Sequence, residues 1–504
     1  MTSDNLSELV RRAAERVPAK PALLYQDRVL TWADLEEQVR RVATALRSLG
    51  LSPGERVALA LGNTPTFASC YFGALRAGLV AVPVNPGSTA AELRHVLGDS
   101  GSAMLVGQRG LAATGTELAT ELPALRHVVS ADADAPLGSL ALPDLLAAAE
   151  PSAQSTGGSE DLAVLMYTSG TSGRPRGAML THRALLANLD QCSRIDPAVM
   201  SDDDVVLLVL PLFHIYGLNA ALGMVAWHGA TGVLIERFDP VETLNVMRQH
   251  QVSNVVGAPP MYVAWSMLTD VGDAFSHVRL AVSGAAPLPA AVLGKFLDAT
   301  GHHVFEGYGL TETAPVLAST LMSVVAKPAS IGRAIPGVEM RLLDDAGQPV
   351  QEDDPGEITV RGANLFSGYW PHGDGGPDPD GWFRTGDVAY VDEDGDVHIV
   401  GRRRELILVS GFNVYPREVE DVLARHPGIA EAAVIAIAHP FTGESVKAVV
   451  VLRDGVQLSS ADVVEHCAGQ LASFKCPTSV EFVAALPHSA TGKTAKGQLR
   501  ESAG

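Results

Sequence analysis

The chain has 504 residues, 47% hydrophobic and 19% charged, with 37 Lys and Arg against 57 Asp and Glu, a formal net charge of −20. At about 150 residues per domain this length predicts roughly three domains with sizeable cores, and the apolar content excludes a disordered chain. The acidity excludes a nucleic-acid partner and disfavours an anionic membrane surface, because both need a basic face to displace counterions.

Residues 1–17 read as a short amphipathic helix that lacks the apolar core, about 7 to 15 residues long, of a secretion signal. Apolar runs at 56–60, 79–84, 163–167, 205–210, 232–236, 254–257, 278–283 and 304–307 alternate with helix-length segments. Runs apolar on both faces and spaced in this way predict parallel strands in βαβ units, so the fold class is α/β. The longest apolar stretch, 205–218, is interrupted by Pro211 and His214 and falls short of the ~18 residues of a bilayer span, so no membrane anchor is expected. From Gly332 onward shorter strands and tight turns predict a β-rich subdomain over about 332–401, with a flexible surface loop at 372–380. After Arg402 come a strand, a helix beginning at Pro416, strands at 432–437 and 446–452, and a helix at 461–472. That pattern predicts a small α+β domain over 402–504, following a large N-terminal domain over 1–401. Cys70, Cys192, Cys467 and Cys476 are too few and too scattered for a disulfide framework or a zinc site, and they fit a reducing cytoplasm.

The strongest local signal directly follows the strand at 163–167. Thr168, Ser169, Thr171 and Ser172 supply hydroxyls, while Gly170, Gly173 and Gly177 let the backbone approach phosphate oxygens without obstruction. Arg174 and Arg176 add charge. Taken alone, such a stretch also reads as a Gly/Ser linker. It is not a Walker A loop: the Gly492-Lys493-Thr494 triplet has Pro487 where that motif needs glycine. No Gly-x-Gly-x-x-Gly opens a helix, which disfavours a nicotinamide dinucleotide.

The loop resembles the phosphate-binding signature of the adenylate-forming superfamily, which comprises acyl-CoA synthetases, carrier-dependent adenylation domains and beetle luciferases. Further motifs follow in the family's order, from about residue 10 to 500. Pro211-Leu-Phe-His214 is similar to its aromatic/His gate at the acyl pocket, and Ser283-Gly284-Ala285-Ala286-Pro287 to its adenine-contacting turn. Gly307-Tyr308-Gly309-Leu310-Thr311-Glu312 resembles the segment that stacks adenine and holds phosphate and Mg²⁺. Trp382-Phe-Arg-Thr-Gly-Asp387 resembles the ribose-binding turn, Gly401-Arg402 the hinge, Ser410-Gly411 the pantetheine tunnel and Ala490-Thr-Gly-Lys493 the catalytic lysine. Arg176 stands where the family usually has Lys, and Arg404 where its hinge usually has Asp or Lys.

The resemblance implies a two-step ligation with ATP and CoA as co-substrates and Mg²⁺ as cofactor. Lys493 would bind the substrate carboxylate and the α-phosphate, Thr311 the α-phosphate, and Glu312 the metal. The C-terminal domain would then rotate about a hinge at 402–404, exchanging the Lys493 face for the one with Gly411. His214, Ile215, Val256, Gly257, Ala258, Gly307 and Leu310 would line the acyl pocket, which Gly257 and Gly307 leave open and apolar. A medium or long fatty acid is the first expectation, with an aryl acid as the alternative. No cation in these segments faces a second carboxylate, which weighs against dicarboxylates. Loading of a carrier protein in trans is the other alternative to CoA. Residues 401–504 hold eleven basic and eleven acidic residues, so the −20 lies in residues 1–400. The C-terminal cations at 402–404, Lys493, Lys496 and Arg500 are therefore expected to serve the phosphates.

Overall fold

The protein, seen in a computed structural model, is described over residues 5–151, 154–168, 175–350, 354–410, 412–488 and 494–501. It divides into one unit of residues 1–328, 334–339 and 361–383 and a second of 329–333, 340–360 and 384–504.

Two sheets built from the apolar runs organise the first unit. One has seven strands in the order Leu140–Ala141, His127–Ser130, Met104–Gly107, Arg56–Ala60, Val80–Pro83, Leu162–Thr168 and Arg176–Thr181. All its neighbours are parallel except the last pair. The other sheet runs Val316–Ser319, Val304–Gly309, Leu280–Gly284, Asn254–Gly257, Val205–Leu208, Thr231–Leu234, Pro21–Tyr25 and Arg28–Thr31 among its nine strands. Within this run the first and last pairs are antiparallel and the rest parallel. The expectation of parallel strands therefore holds for the middles of both sheets and fails beside the two glycine-rich motifs. Each motif sits where the chain doubles back on itself.

Four buried amides fix the second of these returns. On the helix His182–Ser193, Asn188 Nδ2 donates to Val316 O (2.8 Å) and its Oδ1 accepts Val316 N–H (3.0 Å). Gln191 on the same helix donates to Gly337 O and to Asn364 Oδ1 (3.1 and 3.2 Å), and Asn364 in turn donates to Thr313 O (2.8 Å). Asn219 donates to Leu185 O and to Ala314 O (3.1 and 2.7 Å). All four are at most 3% exposed, so each bond replaces water that cannot reach these backbone groups.

His182 opens that helix beside the capping Thr181, whose hydroxyl accepts Ala184 N–H (3.2 Å). Its Nδ1 accepts the Leu6 N–H at 3.1 Å, which ties the N-terminal segment to the sheet. The buried Arg76 reinforces the same tie, forking onto the Glu36 carboxylate at 2.9 Å and donating to Ser7.

The second unit holds most of a four-stranded sheet of Val338–Leu343, Gly356–Gly362, Phe383–Val391 and Val397–Arg402. It also holds a sheet in the order Phe412–Val414, Ile407–Val409, Gly443–Leu452 and Ile429–His439, with Ser479–Phe482 paired to Gly443–Leu452. The helices Pro416–Ala424 and Ser460–Ala468 pack Val419, Leu423, Val463 and Cys467 against Val434, Val446 and Val450. Among the described residues no helix is long and apolar enough to cross a membrane.

Two outcomes are expected. Asn188→Ala strands the N–H and C=O of Val316 in the interior, and urea titration should show a loss of about 3 kcal/mol, a large fraction of a typical margin of about 5 to 15 kcal/mol. Burial pushes the His182 pKa down to about 4, so the unfolded chain takes up a proton near pH 6.5 that the folded chain refuses until about pH 4. Stability from this residue is complete above pH 6.5 and declines as pH falls towards 4, by about 3 kcal/mol in all. His182→Asn should flatten the pH dependence of the unfolding free energy by about one proton over that window, and an unchanged slope would refute the assignment.

Candidate active site

Tyr167 and Thr168 end the strand Leu162–Thr168, and Arg176 starts the antiparallel return, with Thr168 opposite Arg176. The phosphate motif is thus the loop of a hairpin, and the helix His182–Ser193 begins only after the return strand. The chain thus continues from the motif into a strand and not into a helix, so hydroxyls, backbone N–H groups and side-chain cations are the groups its sequence offers an anion. Ser169, Gly170, Thr171, Ser172, Gly173 and Arg174 lie outside the described residues.

Two residues of the helix Ala90–Ser100, one turn apart, grip the two stems of this hairpin. His95 Nε2 donates to Pro175 O (3.0 Å), and Asp99 accepts the Tyr167 hydroxyl (2.5 Å). Burial and the Asp99 carboxylate hold the Tyr167 phenol far above its ordinary pKa, so it stays a donor. Asp99 O also accepts the Trp370 indole N–H at 2.9 Å. The sequence signals the helix through its Thr89–Glu92 capping box, whereas its hairpin partners, 68 and 80 residues away, leave no local trace.

The segment from Gly307 to Glu312 ends the strand Val304–Gly309 and turns through one 3₁₀ turn, Thr311–Thr313. Leu310 N–H donates to Pro315 O (3.1 Å), and a Cβ at Gly309 would lie 1.8 Å from that oxygen, so only glycine allows the crossing. Ala314 follows in the left-handed region, φ 64°. Tyr308, 9% exposed, lies opposite Ala318 in the sheet. Glu312 is half-buried, its C=O accepts Phe366 N–H (2.9 Å), and its Oε1 accepts the Tyr369 hydroxyl (2.5 Å). The Tyr369 ring also lies under the Arg176 guanidinium, 3.8 Å from its centroid. One side chain thus joins the phosphate hairpin to the Thr311-Glu312 turn. Among the described residues no three His, Cys, Asp or Glu side chains gather as a metal cage. Mg²⁺ needs only one or two carboxylates beside phosphate and water, and Glu312, with Oε2 left over, fits that demand.

The expected adenine turn has Ala285 at φ 72°, a strained conformation for a residue with a Cβ, and Ala286 follows it. Gly284 and Gly307 are paired across adjacent strands and, with Val256 and Val282, share one face of the sheet. A Cβ at Gly307 would meet nothing within 4 Å, whereas one at Gly284 would lie 2.9 Å from the Tyr216 hydroxyl. Tyr216 starts a π-helix, Tyr216–Gly223, and its buried hydroxyl has no hydrogen-bond partner among the described residues. His214 Nδ1 accepts Tyr216 N–H (3.3 Å), which leaves Nε2 to carry the proton of the neutral ring. Asn63 fixes this gate, donating to Leu208 O and Leu210 O and accepting Leu212 N–H at 2.9 Å. Gly217 passes so close to Pro211 O, 2.4 Å from an added Cβ, that no side chain fits there.

Gly257 does not leave the expected open floor. It lies on the face opposite Gly284, where an added Cβ would be 3.0 Å from the Tyr262 ring and 3.3 Å from Met261. Tyr262 is tied to Val282 O (2.9 Å) and packed edge-on against Trp265 and Phe296, so this space is aromatic core. Ile215 is 1% exposed and Ala258, at 7%, caps the helix Pro259–Trp265. Leu310 is half-buried.

In the second unit Asp387, 4% exposed, faces Arg402 across two strands, with Nε–Oδ1 3.0 Å. Part of the expected reservoir of basic charge is spent on local carboxylates: Arg403 pairs with Glu357 and Asp345 at 2.8 Å, and Lys496 with Glu405 and Glu420 at 3.1 and 2.7 Å. Arg404 lies in the 3₁₀ turn Arg403–Glu405. Ser410 adopts φ 51° and its N–H donates to Thr442 O (2.9 Å). Gly411 and Lys493 lie outside the described residues. All four cysteines are free and buried, and burial pushes the Cys70 and Cys192 thiols up to about 12, which suits packing rather than nucleophilic attack.

The AMP-binding enzyme family matches residues 10–370, and the AMP-binding enzyme C-terminal domain matches residues 418–493. A feruloyl-CoA synthase from an Amycolatopsis species is 36% identical, covering 100% of both chains. A long-chain-fatty-acid–CoA ligase from Yersinia pestis is 35% identical over 99% of this chain and 94% of its own. The crystal structure of ATP-bound MatB from Rhodopseudomonas palustris superposes with a TM-score of 0.91 at 33% identity, covering 99% of each chain. The mixed α/β units described above are the fold of adenylate-forming enzymes, and the chain belongs to the AMP-binding enzyme family as an acid–thiol ligase of the acyl-CoA synthetase type.

Proposed function

We propose that this ligase activates a planar aryl or arylalkenyl carboxylic acid with ATP and transfers it to CoA. In the first step a carboxylate oxygen attacks the α-phosphorus and pyrophosphate leaves. In the second the CoA thiol, losing its proton, attacks the acyl carbon and AMP leaves. The observation that carries the substrate class is Gly307, where an added Cβ would meet nothing within 4 Å, next to Gly284, which is covered by Tyr216, whose buried hydroxyl has no partner among the described residues. A flat ring fits over the open Gly307 beside Tyr216, and a phenolic or alkoxy substituent would satisfy the hydroxyl, which an alkyl chain leaves unpaired. The feruloyl-CoA synthase relative supports this reading. The Yersinia relative supports a second one, a medium or long fatty acid. Segments 214–220, 256–258, 284–286 and 307–310 contain no Arg or Lys, which disfavours a dicarboxylate.

Catalysis in this reading is mainly positioning and charge stabilisation. Thr168, Ser169, Gly170, Thr171, Ser172, Gly173 and Arg176 hold the phosphates, with the planar Arg176 fork in place of a lysine point charge. Gly284, Ala285, Ala286, Tyr308 and Gly309 form the adenine site, Asp387 beside Arg402 binds the ribose, and His214 gates the acid. Thr311 binds the α-phosphate. Glu312 would hold Mg²⁺, which when bound there offsets phosphate charge. Lys493 acts in the first step only, rotation about Arg404 brings Ser410 and Gly411 to the thiol, and the free cysteines fit action in the cytoplasm.

Two measurements test this reading. Lys493→Ala should reduce acid-dependent ATP–pyrophosphate exchange by at least a hundredfold while conversion of pre-made acyl adenylate and CoA persists; an equal fall in both refutes the two-state role. CoA-dependent AMP release should be fastest with ring-hydroxylated cinnamic or benzoic acids among C2–C18, aryl and dicarboxylic acids. Tyr216→Phe should cost about tenfold in kcat/KM for hydroxylated acids and little for unsubstituted ones. Preference for C10–C18 acids selects the fatty-acid reading, and adenylate without CoA thioester selects a carrier protein as acceptor.

A further inference from the structure

We propose that Tyr369 is a positioning residue that holds the metal-binding carboxylate and the phosphate-binding cation of the nucleotide site apart and in place, an inference that rests on the roles given above to Glu312 and Arg176. Three observations converge on it. The backbone of 366–370 is bonded to both elements it would organise. Ser367 N–H donates to Met179 O, Met179 N–H to Gly368 O and Trp370 N–H to Gly177 O, at 2.8 to 3.0 Å, along the return strand of the phosphate hairpin, while Phe366 N–H donates to Glu312 O (2.9 Å). The Tyr369 hydroxyl donates to Glu312 Oε1 at 2.5 Å, fixing the carboxylate rotamer and leaving Oε2 for a cation. The ring carries the Arg176 guanidinium at 3.8 Å, and Phe366 packs edge-on against it, centroids 5.1 Å apart, which holds the ring plane.

A cation and a carboxylate that share one side chain as partner could pair in its absence, which would remove the ligand for the metal and the donor for the phosphate together. Among the described residues Arg176 and Glu312 form no ion pair; each is engaged by a different part of the same tyrosine. Tyr369 thus keeps both charges available to a nucleotide and presents them in fixed orientation, so the ordering does not draw on the binding energy of ATP.

The hydroxyl and the ring have separable roles, and two substitutions separate them. ATP affinity is measured by calorimetry, without acid or CoA, once with Mg²⁺ and once with EDTA. Tyr369→Phe keeps the ring under Arg176 and should weaken MgATP binding about tenfold while leaving metal-free ATP binding unchanged. Tyr369→Leu should weaken both. Glu312→Gln should erase the difference between the Mg²⁺ and EDTA titrations; if it does not, the metal assignment fails, and Tyr369 with it. If Glu312→Gln erases the difference but Tyr369→Phe binds like the wild type, or weakens equally with and without Mg²⁺, the positioning role alone is overturned. Thermal melting of Tyr369→Phe should match the wild type, and a melt lowered in step with affinity would mark Tyr369 as a packing residue.

Discussion

The turn between Gly309 and Val316 cannot be held by the sheet that surrounds it. Leu310 N–H bonds within the turn to Pro315 O, Ala314 is left-handed, and the sheet register shifts at Tyr308/Gly309, so the backbone groups of 313–316 need partners from elsewhere. Asn188, Asn219 and Asn364 supply them from a helix, a π-helix and a loop, and Gln191 holds Asn364 in place. In a low-dielectric interior such bonds are expensive to leave unmade, which makes the turn rigid. Thr311 and Glu312 inherit that rigidity. Their position depends on amides up to 128 residues away in the chain as well as on the local bonds of Thr313 to Leu310 and Pro315.

The same logic of supplied partners governs charge. The phosphate motif leads into an antiparallel strand and a helix begins only at His182, so its order is not the strand–loop–helix arrangement that aims aligned peptide dipoles at an anion. Compensation for a polyphosphate must therefore come from hydroxyls, backbone N–H groups and cations whose own charge is not already neutralised. Arg402, Arg403 and Lys496 each face a carboxylate in their own unit. Arg176 instead rests on an aromatic face, which attracts a cation without cancelling its charge. The excess of acid in residues 1–400 is thus compatible with binding a polyanion, since one cation of this kind matters more than the sum over the surface.

What the sequence discloses follows from what periodicity and residue identity can encode. The strand 254–257 is located to the residue because its run is apolar on both faces, and the helix after Tyr415 because Pro416 marks its first turn. Strand direction is not encoded in a run, so the antiparallel returns at Arg176–Thr181 and Val316–Ser319 are visible only in the structure. The motifs name the residues of the site but not the side chains that hold them. Tyr369 sits in a Ser-Gly-Tyr-Trp-Pro stretch with the composition of a surface loop, and His95, Asn63 and Asn188 are ordinary polar residues until their partners are seen. Gly257 is the instructive failure: a glycine announces that its own side chain is missing and says nothing of the Tyr262 ring that fills the space.

That failure has a consequence for specificity. Period-two alternation sends Gly257 and Ser283 to one face of the sheet, and Val256, Val282, Gly284 and Gly307 to the other. The first face is filled by Tyr262, Trp265, Phe275 and Phe296, interlocked edge to face. On the second, a Cβ at position 284 would strike Tyr216, while one at 307 would project into open space. In the proposed reading size and chemistry would then fall to different residues: the bulk of the acid to position 307, where any side chain subtracts volume, and its polar group to Tyr216, which the π-helix and the crossing of Gly217 over Pro211 hold against Gly284.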